Sequence, residues 1–277
     1  MTASLDEMRS GFEQMAGSFP LDPSARYEPA TAASVKAEWV SAPESDRSKA
    51  ILYLHGGGYV MGSLNTNRAF ASRLSKAAGA RVLVIDYRLA PEYPYPAAVE
   101  DAVAAYRWML DQGIQASRSA IGGDSAGGGL TIATLVSIRE LKKPLPCAGV
   151  CISPWVDLEE TGESMITKAG VDPMVQKDGL LEMARLYLNG QNPRTPLASP
   201  LYADLSGLPP LQILVGTSET LLDDSTRIAE RARKAGVEVK LDCWEKMIHV
   251  WPMFAHVLDE GQQAIEQMGE FVRARMK

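Results

Sequence analysis

Cysteine, histidine and long apolar runs are scarce in this chain, and each shortage removes a class of protein. There are three cysteines among 277 residues. Cys147 and Cys151 fall four apart in a stretch that reads as a strand, roughly 13 Å from one another, which is beyond the reach of a disulfide. The count is odd and there is no C-x-x-C pair, so a disulfide framework and a structural zinc site are both excluded, and a reducing, cytoplasmic setting fits. The three thiols are expected to be small buried apolar residues. No apolar run approaches the roughly 18 residues of a membrane span. No Lys/Arg block is present, and the net charge of −6 argues against nucleic acid or an anionic membrane as partner. The stretch Met1–Arg9 is polar and acidic, without the basic start and apolar core of a secretory leader.

What is present reads as one α/β core. An apolar fraction of 46% and a charged fraction of 22% are ordinary for a globular enzyme of this length. Residues 1–19 show helical spacing (Leu5, Met8, Phe12, Met15, Phe19), stopped by Pro20 and Pro23. Strands are predicted at 35–40, 51–54, 81–86, 147–152, 211–215 and 237–243, with another ending at the glycine-rich stretch 121–129. Helices are predicted at 67–78, 97–110, from 130 to near Pro144, 176–188, 224–235 and 253–272, and a polar turn at 41–49. Short apolar strands alternating with helices imply a mostly parallel sheet covered on both faces. In such sheets the chemistry gathers at the carboxyl ends of the strands.

Gly123-Asp124-Ser125-Ala126-Gly127 joins a strand-like run to a helix-like one. This G-x-S-x-G arrangement holds a serine on a strained turn with glycines giving clearance. A serine hydroxyl needs a base, and only three histidines are available. His55 is bound into a glycine run, and His256 falls on the surface of the last predicted helix. His249 opens a loop at the carboxyl end of a strand, so it is the candidate base. The base needs a carboxylate to fix its tautomer. Glu219, four residues past the strand ending at Val215, is the first candidate. Asp223 is the second, better placed to cap the helix that follows. Asp124 adjoins the serine and reads as a hydrogen-bonded turn residue. Oxyanion donors are expected from Ala126 at a helix start and from Gly56, Gly57 and Gly58. No metal or cofactor is needed for such chemistry.

These stretches together resemble the hormone-sensitive-lipase-like family of α/β-hydrolases, the bacterial family IV esterases. The resemblance is carried, in order, by His55-Gly56-Gly57-Gly58-Tyr59-Val60, Asp86-Tyr87-Arg88-Leu89-Ala90-Pro91-Glu92, Gly123-Asp124-Ser125-Ala126-Gly127-Gly128, Ser199-Pro200-Leu201 and Met247-Ile248-His249. It implies an α/β-hydrolase fold, Ser125 as nucleophile, His249 as base, and an oxyanion hole from the glycines after His55 with Ala126. It also implies a cap from residues 1–20 and 157–200 over a core of 21–156 and 201–277, and a homodimer. Where the family pattern usually has Asp in a D-P-L-like stretch, this chain has Glu219-Thr220-Leu221, a departure that some members share. The expected activity is hydrolysis of small short-chain esters. Lactone, acetyl or amide substrates are the alternatives, and a non-catalytic ligand-binding relative is disfavoured by His249. Met8, Phe12, Met15, Met183, Leu186 and Tyr187 are the candidate pocket residues.

Overall fold

Successive residues of a strand point to opposite faces, and here both faces are apolar. In β3 (Asp46–Leu54), Leu52 and Leu54 pack into one buried cluster while Ile51 and Tyr53 pack into the other. In β4 (Ala80–Ile85), Leu83 and Ile85 alternate with Val82 and Val84 in the same way. Helices must therefore cover both sides. In the computed structural model, which describes residues 4–277, they do. Phe70 and Leu74 of α2 (Leu64–Ala78) pack with Ile265 and Met268 of α8 (Asp259–Arg273) against one face. Helices α3 (Ala97–Asp111), α4 (Ala126–Glu140) and α7 (Leu222–Lys234) cover the other with Tyr106, Leu130, Ile132 and Ile228.

The remaining strands are β1 (Arg26–Ala32), β2 (Val35–Ser41), β5 (Ser119–Asp124), β6 (Ala148–Ile152), β7 (Leu211–Gly216) and β8 (Val239–Trp244). The eight form one sheet in the order β1-β2-β4-β3-β5-β6-β7-β8. Pairings β1–β2 and β2–β4 are antiparallel and all others are parallel. Gly123 pairs with Leu54, Ile152 with Asp124 and with Leu214, and Gly216 with Trp244. This register aligns the carboxyl ends of β3, β5, β6, β7 and β8, so the loops leaving them meet. Three further helices lie off the sheet: α1 (Leu5–Gly17), α5 (Ser164–Thr167) and α6 (Lys177–Leu188). No helix among the described residues is long and apolar enough to cross a membrane.

The structure departs from the sequence expectations at several places. The expected helix over 1–19 is α1, begun by a capping box between Ser4 and Glu7; residues 1–3 lie outside the described residues. Strand β1 has no sequence counterpart, because it is an edge strand with Pro29 and mostly half-exposed side chains, so it lacks apolar alternation. Strand β3 starts at Asp46, inside the expected polar turn, and its first residues are exposed. The expected helix over 253–272 is broken. A tight turn at Trp251–Phe254 precedes α8, and His256 lies between them, packed on Phe19 at 4.6 Å rather than on a helix surface. Only Cys151 is a buried thiol; Cys147 is half-buried and Cys243 exposed. Cys243 belongs to β8, the last strand of the sheet, none of whose residues is fully buried.

Candidate active site

One residue separates the end of β5 from the start of α4, so the chain turns within Ser125 alone. Ser125 takes φ 54° and ψ −122°, a conformation that L residues avoid. Its N–H donates to Ile152 O at 2.8 Å, and its carbonyl accepts from the N–H groups of Gly128, Gly129 and Trp155. Those bonds hold the strained turn from both sides. A Cβ on Gly127 would overlap the Leu54 and His55 carbonyls, so glycine is what lets α4 approach the loop after β3. The expectation that the glycines serve clearance holds here.

That loop is His55–Gly58. Gly57 (φ 114°) and Gly58 (φ 60°) adopt conformations that favour glycine and line the same cavity as Ser125. A Cβ at Gly58 would overlap the Met183 sulfur. The Gly56 N–H is already engaged, donating to Asp124 Oδ1 at 3.1 Å. Of the three glycines expected to supply oxyanion donors, it is therefore the one whose donor is turned elsewhere. Tyr53 Oη–H donates to the same Asp124 oxygen at 2.8 Å. Burial pushes the Asp124 carboxyl up to about 6, against these two donors. Asp124 is the hydrogen-bonded turn residue that the sequence suggested, and it anchors the glycine loop. The Asp86–Glu92 stretch steadies the loop from the other side: Tyr87 Oη–H donates to His55 O at 2.7 Å, and Ala90 N–H to Tyr59 O at 2.9 Å. His55 is fully buried and stacked on Tyr87 at 4.2 Å, with burial lowering its pKa, so it is a structural histidine.

His249 and Glu219 meet across the loops that leave β8 and β7. His249 Nδ1 lies 2.8 Å from Glu219 Oε2, and both side chains are buried. Glu219 is the ring's one hydrogen-bond partner among the described residues. Burial works against the imidazolium, but the hydrogen bond and charge of Glu219 outweigh it, and the His249 pKa is raised. The other Glu219 oxygen accepts from the Gly216 N–H at 2.6 Å and from the Ser153 hydroxyl at 2.8 Å. The two loops are clasped by Ser218 N–H to Met247 O (3.0 Å) and Lys246 N–H to Thr217 Oγ1 (2.8 Å).

Asp223, the second candidate acid, points away from this pair. Its carboxylate accepts the Ser164 N–H at 2.8 Å, and its own N–H donates to Ser164 Oγ at 3.0 Å. It therefore ties α7 to α5 and makes no side-chain cap on α7. Asp224 turns inward and accepts the Val156 and Asp157 N–H groups.

Ser125, Gly57, Gly58 and His249 share a cavity of about 480 Å³. Its far wall comes from α1, with Met8, Gly11, Phe12 and Met15, and from residues 174–183, with Met174, Gly179, Leu180 and Met183. Four of the six candidate pocket residues are thus on the wall. Leu186 and Tyr187 are not; Tyr187 is buried and stacked on Tyr59 at 3.8 Å. Ser153, which binds Glu219 from the end of β6, was not among the candidate residues. The signal for it was the sheet order, which sets β6 between the serine strand and the acid strand. Among the described residues no cluster of His, Cys, Asp and Glu is placed to hold a metal ion.

The family model for the α/β-hydrolase fold matches residues 51–253. The chain is 49% identical over 237 residues to an acetyl-hydrolase of Streptomyces hygroscopicus, covering 86% of this chain and 79% of that protein. It is 34% identical over 265 residues to an esterase of Acinetobacter venetianus, covering 95% and 87%. Among solved structures it is similar to an esterase from the bacterial hormone-sensitive lipase family, with a TM-score of 0.98 and 53% identity over 100% of this chain and 93% of that one.

Proposed function

The chain belongs to the hormone-sensitive-lipase-like esterases of the α/β-hydrolase family and is a carboxylic ester hydrolase; from that premise we propose that Ser125, His249 and Glu219 carry its chemistry. The observation that supports this most is the buried His249–Glu219 hydrogen bond facing the cavity that holds Ser125. In this reading His249 Nε2 takes the Ser125 proton as Oγ attacks the ester carbonyl carbon. Glu219 fixes the ring with its proton on Nδ1 and stabilises the imidazolium. His249 then protonates the leaving alcohol, and an acyl-enzyme remains on Ser125. Water, deprotonated by the same ring, attacks that ester, and the ring returns the proton to Ser125 Oγ as the acyl bond breaks and the acid leaves.

The oxyanion formed in both steps faces the backbone N–H groups of Gly57, Gly58 and Ala126. Ala126 begins α4, so the helix N-terminus adds its field to that donor. Gly56 contributes by position, because its N–H holds Asp124. Small esters with short acyl groups are the proposed substrates. A cavity of about 480 Å³ with an apolar far wall suits them, and one relative is an acetyl-hydrolase. Residues 1–20 and 157–200 act as the cap over a core of 21–156 and 201–277. The wall formed by α1 and residues 174–183 supports that division. A homodimer and a cytoplasmic setting complete the proposal, the first on the family resemblance and the second on three unpaired thiols.

The test is hydrolysis of nitrophenyl acetate by the Ser125→Ala protein. Turnover is expected to fall at least about 10⁴-fold with an unchanged melting temperature. Turnover close to the parent's would overturn the assignment.

A further inference from the structure

Ser153 is fully buried, at the first position after β6. It takes φ 45°, the left-handed region where a glycine sits with less strain. Its N–H donates to Leu214 O at 2.7 Å, so the backbone is anchored without the side chain. Its hydroxyl donates to Glu219 Oε1 at 2.8 Å and accepts from the Val250 N–H at 3.1 Å. One hydroxyl can do both, since it has one proton and two lone pairs.

Val250 directly follows His249 and is itself left-handed, at φ 48°. That is an outlier for a β-branched residue. His249 and Val250 both line the cavity, and the Ser153 hydroxyl is the side chain that holds the backbone there. The same hydroxyl fixes the Glu219 oxygen that does not face His249. The acid and the base come from different loops, after β7 and β8. Ser153, from the strand beside β7, joins them on the side away from the cavity.

We propose that Ser153 is a positioning residue for the His249–Glu219 pair, setting the orientation of the carboxylate and of the histidine backbone through one shared hydroxyl. This rests on the triad reading above. Ser153 touches no reacting atom; it acts through Glu219 and Val250.

Two variants separate this role from a structural one. Ser153→Ala removes the hydroxyl and keeps a side chain at a strained φ. Ser153→Gly removes the hydroxyl and relieves the strain, so its melting temperature should stay near the parent's. Both are expected to lose about ten- to a hundredfold in kcat on nitrophenyl acetate, with KM nearly unchanged. The acid limb of kcat/KM should move to higher pH. With one donor gone, the Glu219 carboxylate presents more charge to His249, whose ring also feels the charges of Asp172 and Asp124. In a Glu219→Gln background the same Ser153→Gly change should cost clearly less than in the parent, because only the Val250 contact remains to be lost. A Ser153→Gly protein with parental kcat and an unmoved limb overturns the proposal. So do losses that follow the melting temperatures of the two variants, or a full additional loss on Glu219→Gln. If Ser125→Ala is inactive and Ser153→Gly is silent, only the positioning role falls. If Ser125→Ala keeps its turnover, both fall.

Discussion

Glu219, buried behind His249 at the floor of the cavity, is held by the Gly216 N–H, the Ser153 hydroxyl and the His249 ring, all within 2.6–2.8 Å. Met174 and Met15, across the cavity, are partly exposed, at 41% and 40%. The floor consists of directional groups on strand ends, with the Glu219 carboxylate fixed through both of its oxygens. The roof consists of flexible apolar side chains on α1 and residues 174–183. The difference follows from what each must do. Proton transfer and oxyanion stabilisation tolerate errors of a fraction of an ångström only. An acyl chain is recognised by area and shape, and methionine adapts to several shapes at little cost. Changes in the floor should therefore act on kcat, and changes in the roof on KM and preference.

The largest effect expected is at the floor. Glu219→Gln keeps the shape of the side chain but removes the charge that stabilises the imidazolium, and kcat should fall about 10³–10⁴-fold. Asp223→Asn should leave kcat near the parent's, because Asp223 bonds to Ser164 and not to His249. The pH profile gives the sign. His249 must be neutral to act as base, so kcat/KM falls as pH drops through its raised pKa. Without the Glu219 charge, burial dominates and that pKa drops. The acid limb of the residual activity then moves to lower pH, opposite to the shift expected for Ser153→Gly. Equal losses at 219 and 223 would break the distinction between the two carboxylates.

A smaller effect tests the junction of roof and floor. Arg9 of α1 donates to Val60 O at 2.7 Å and Ala90 O at 3.0 Å, and pairs with both Glu92 oxygens at 2.6 and 2.7 Å. Val60 lies two residues beyond Gly58, so the helix is fastened to the loop that carries Gly57 and Gly58, the proposed oxyanion donors. Arg9→Ala should weaken α1 docking by about 1–3 kcal/mol. A butyryl ester should show a raised KM and a nearly constant kcat. A selective loss of kcat would place Arg9 with the floor instead.

These two regions were not equally legible in the sequence. Ser125, Glu219 and His249 could be singled out because the chemistry proposed for them needs particular residue types at strand ends in a fixed order. The glycines could be found because close approaches admit nothing else. The single engaged donor at Gly56 could not be seen, since it depends on where Asp124 turns. Ser153 was hidden for a similar reason: a serine after a strand carries no pattern, and its role depends on β6 lying between β5 and β7. The roof was half legible. Helical spacing picked out Met8, Phe12 and Met15. Spacing could not show that α6 turns Met183 toward the cavity and Tyr187 onto Tyr59. Edge elements were missed where a strand, as in β1, has no buried face to pattern it.

Stability against pH sharpens the same contrast, since a buried acid, Glu160, stands in the chain that follows β6. Glu160 Oε1 accepts the Trp155 indole N–H at 2.6 Å, and Oε2 is buried without a partner. Burial, and then the charge of Asp224, pushes the Glu160 carboxyl up to about 9 from 4.5. The folded chain thus keeps a proton that the unfolded chain releases. Its stabilising contribution is complete below the unfolded value near 4.5 and is lost as pH rises towards 9. Glu160→Gln carries no such proton. Its melting temperature should fall less between pH 5 and 9 than the parent's, with kcat at a fixed pH unchanged. Parallel melting curves would show that Glu160 is charged in the fold.

The smallest effect concerns Gly11 and Gly179. Both lie inside helices, α1 and α6, and both line the cavity. At each, a Cβ would meet nothing within 4 Å, so neither packing nor backbone conformation calls for glycine. Each costs its helix about 0.5–1 kcal/mol relative to alanine. What glycine gives in return is room at the cavity wall. Gly11→Ala and Gly179→Ala should therefore raise the melting temperature by about 1–4 °C each and leave acetyl-ester turnover as it is. KM for a longer acyl chain should rise, because the added methyl groups narrow the wall. If the alanine variants melt lower, the glycines answer a demand of the fold. If long and short esters respond alike, the roof does not select by space at these positions, and the contrast with the floor loses its clearest instance.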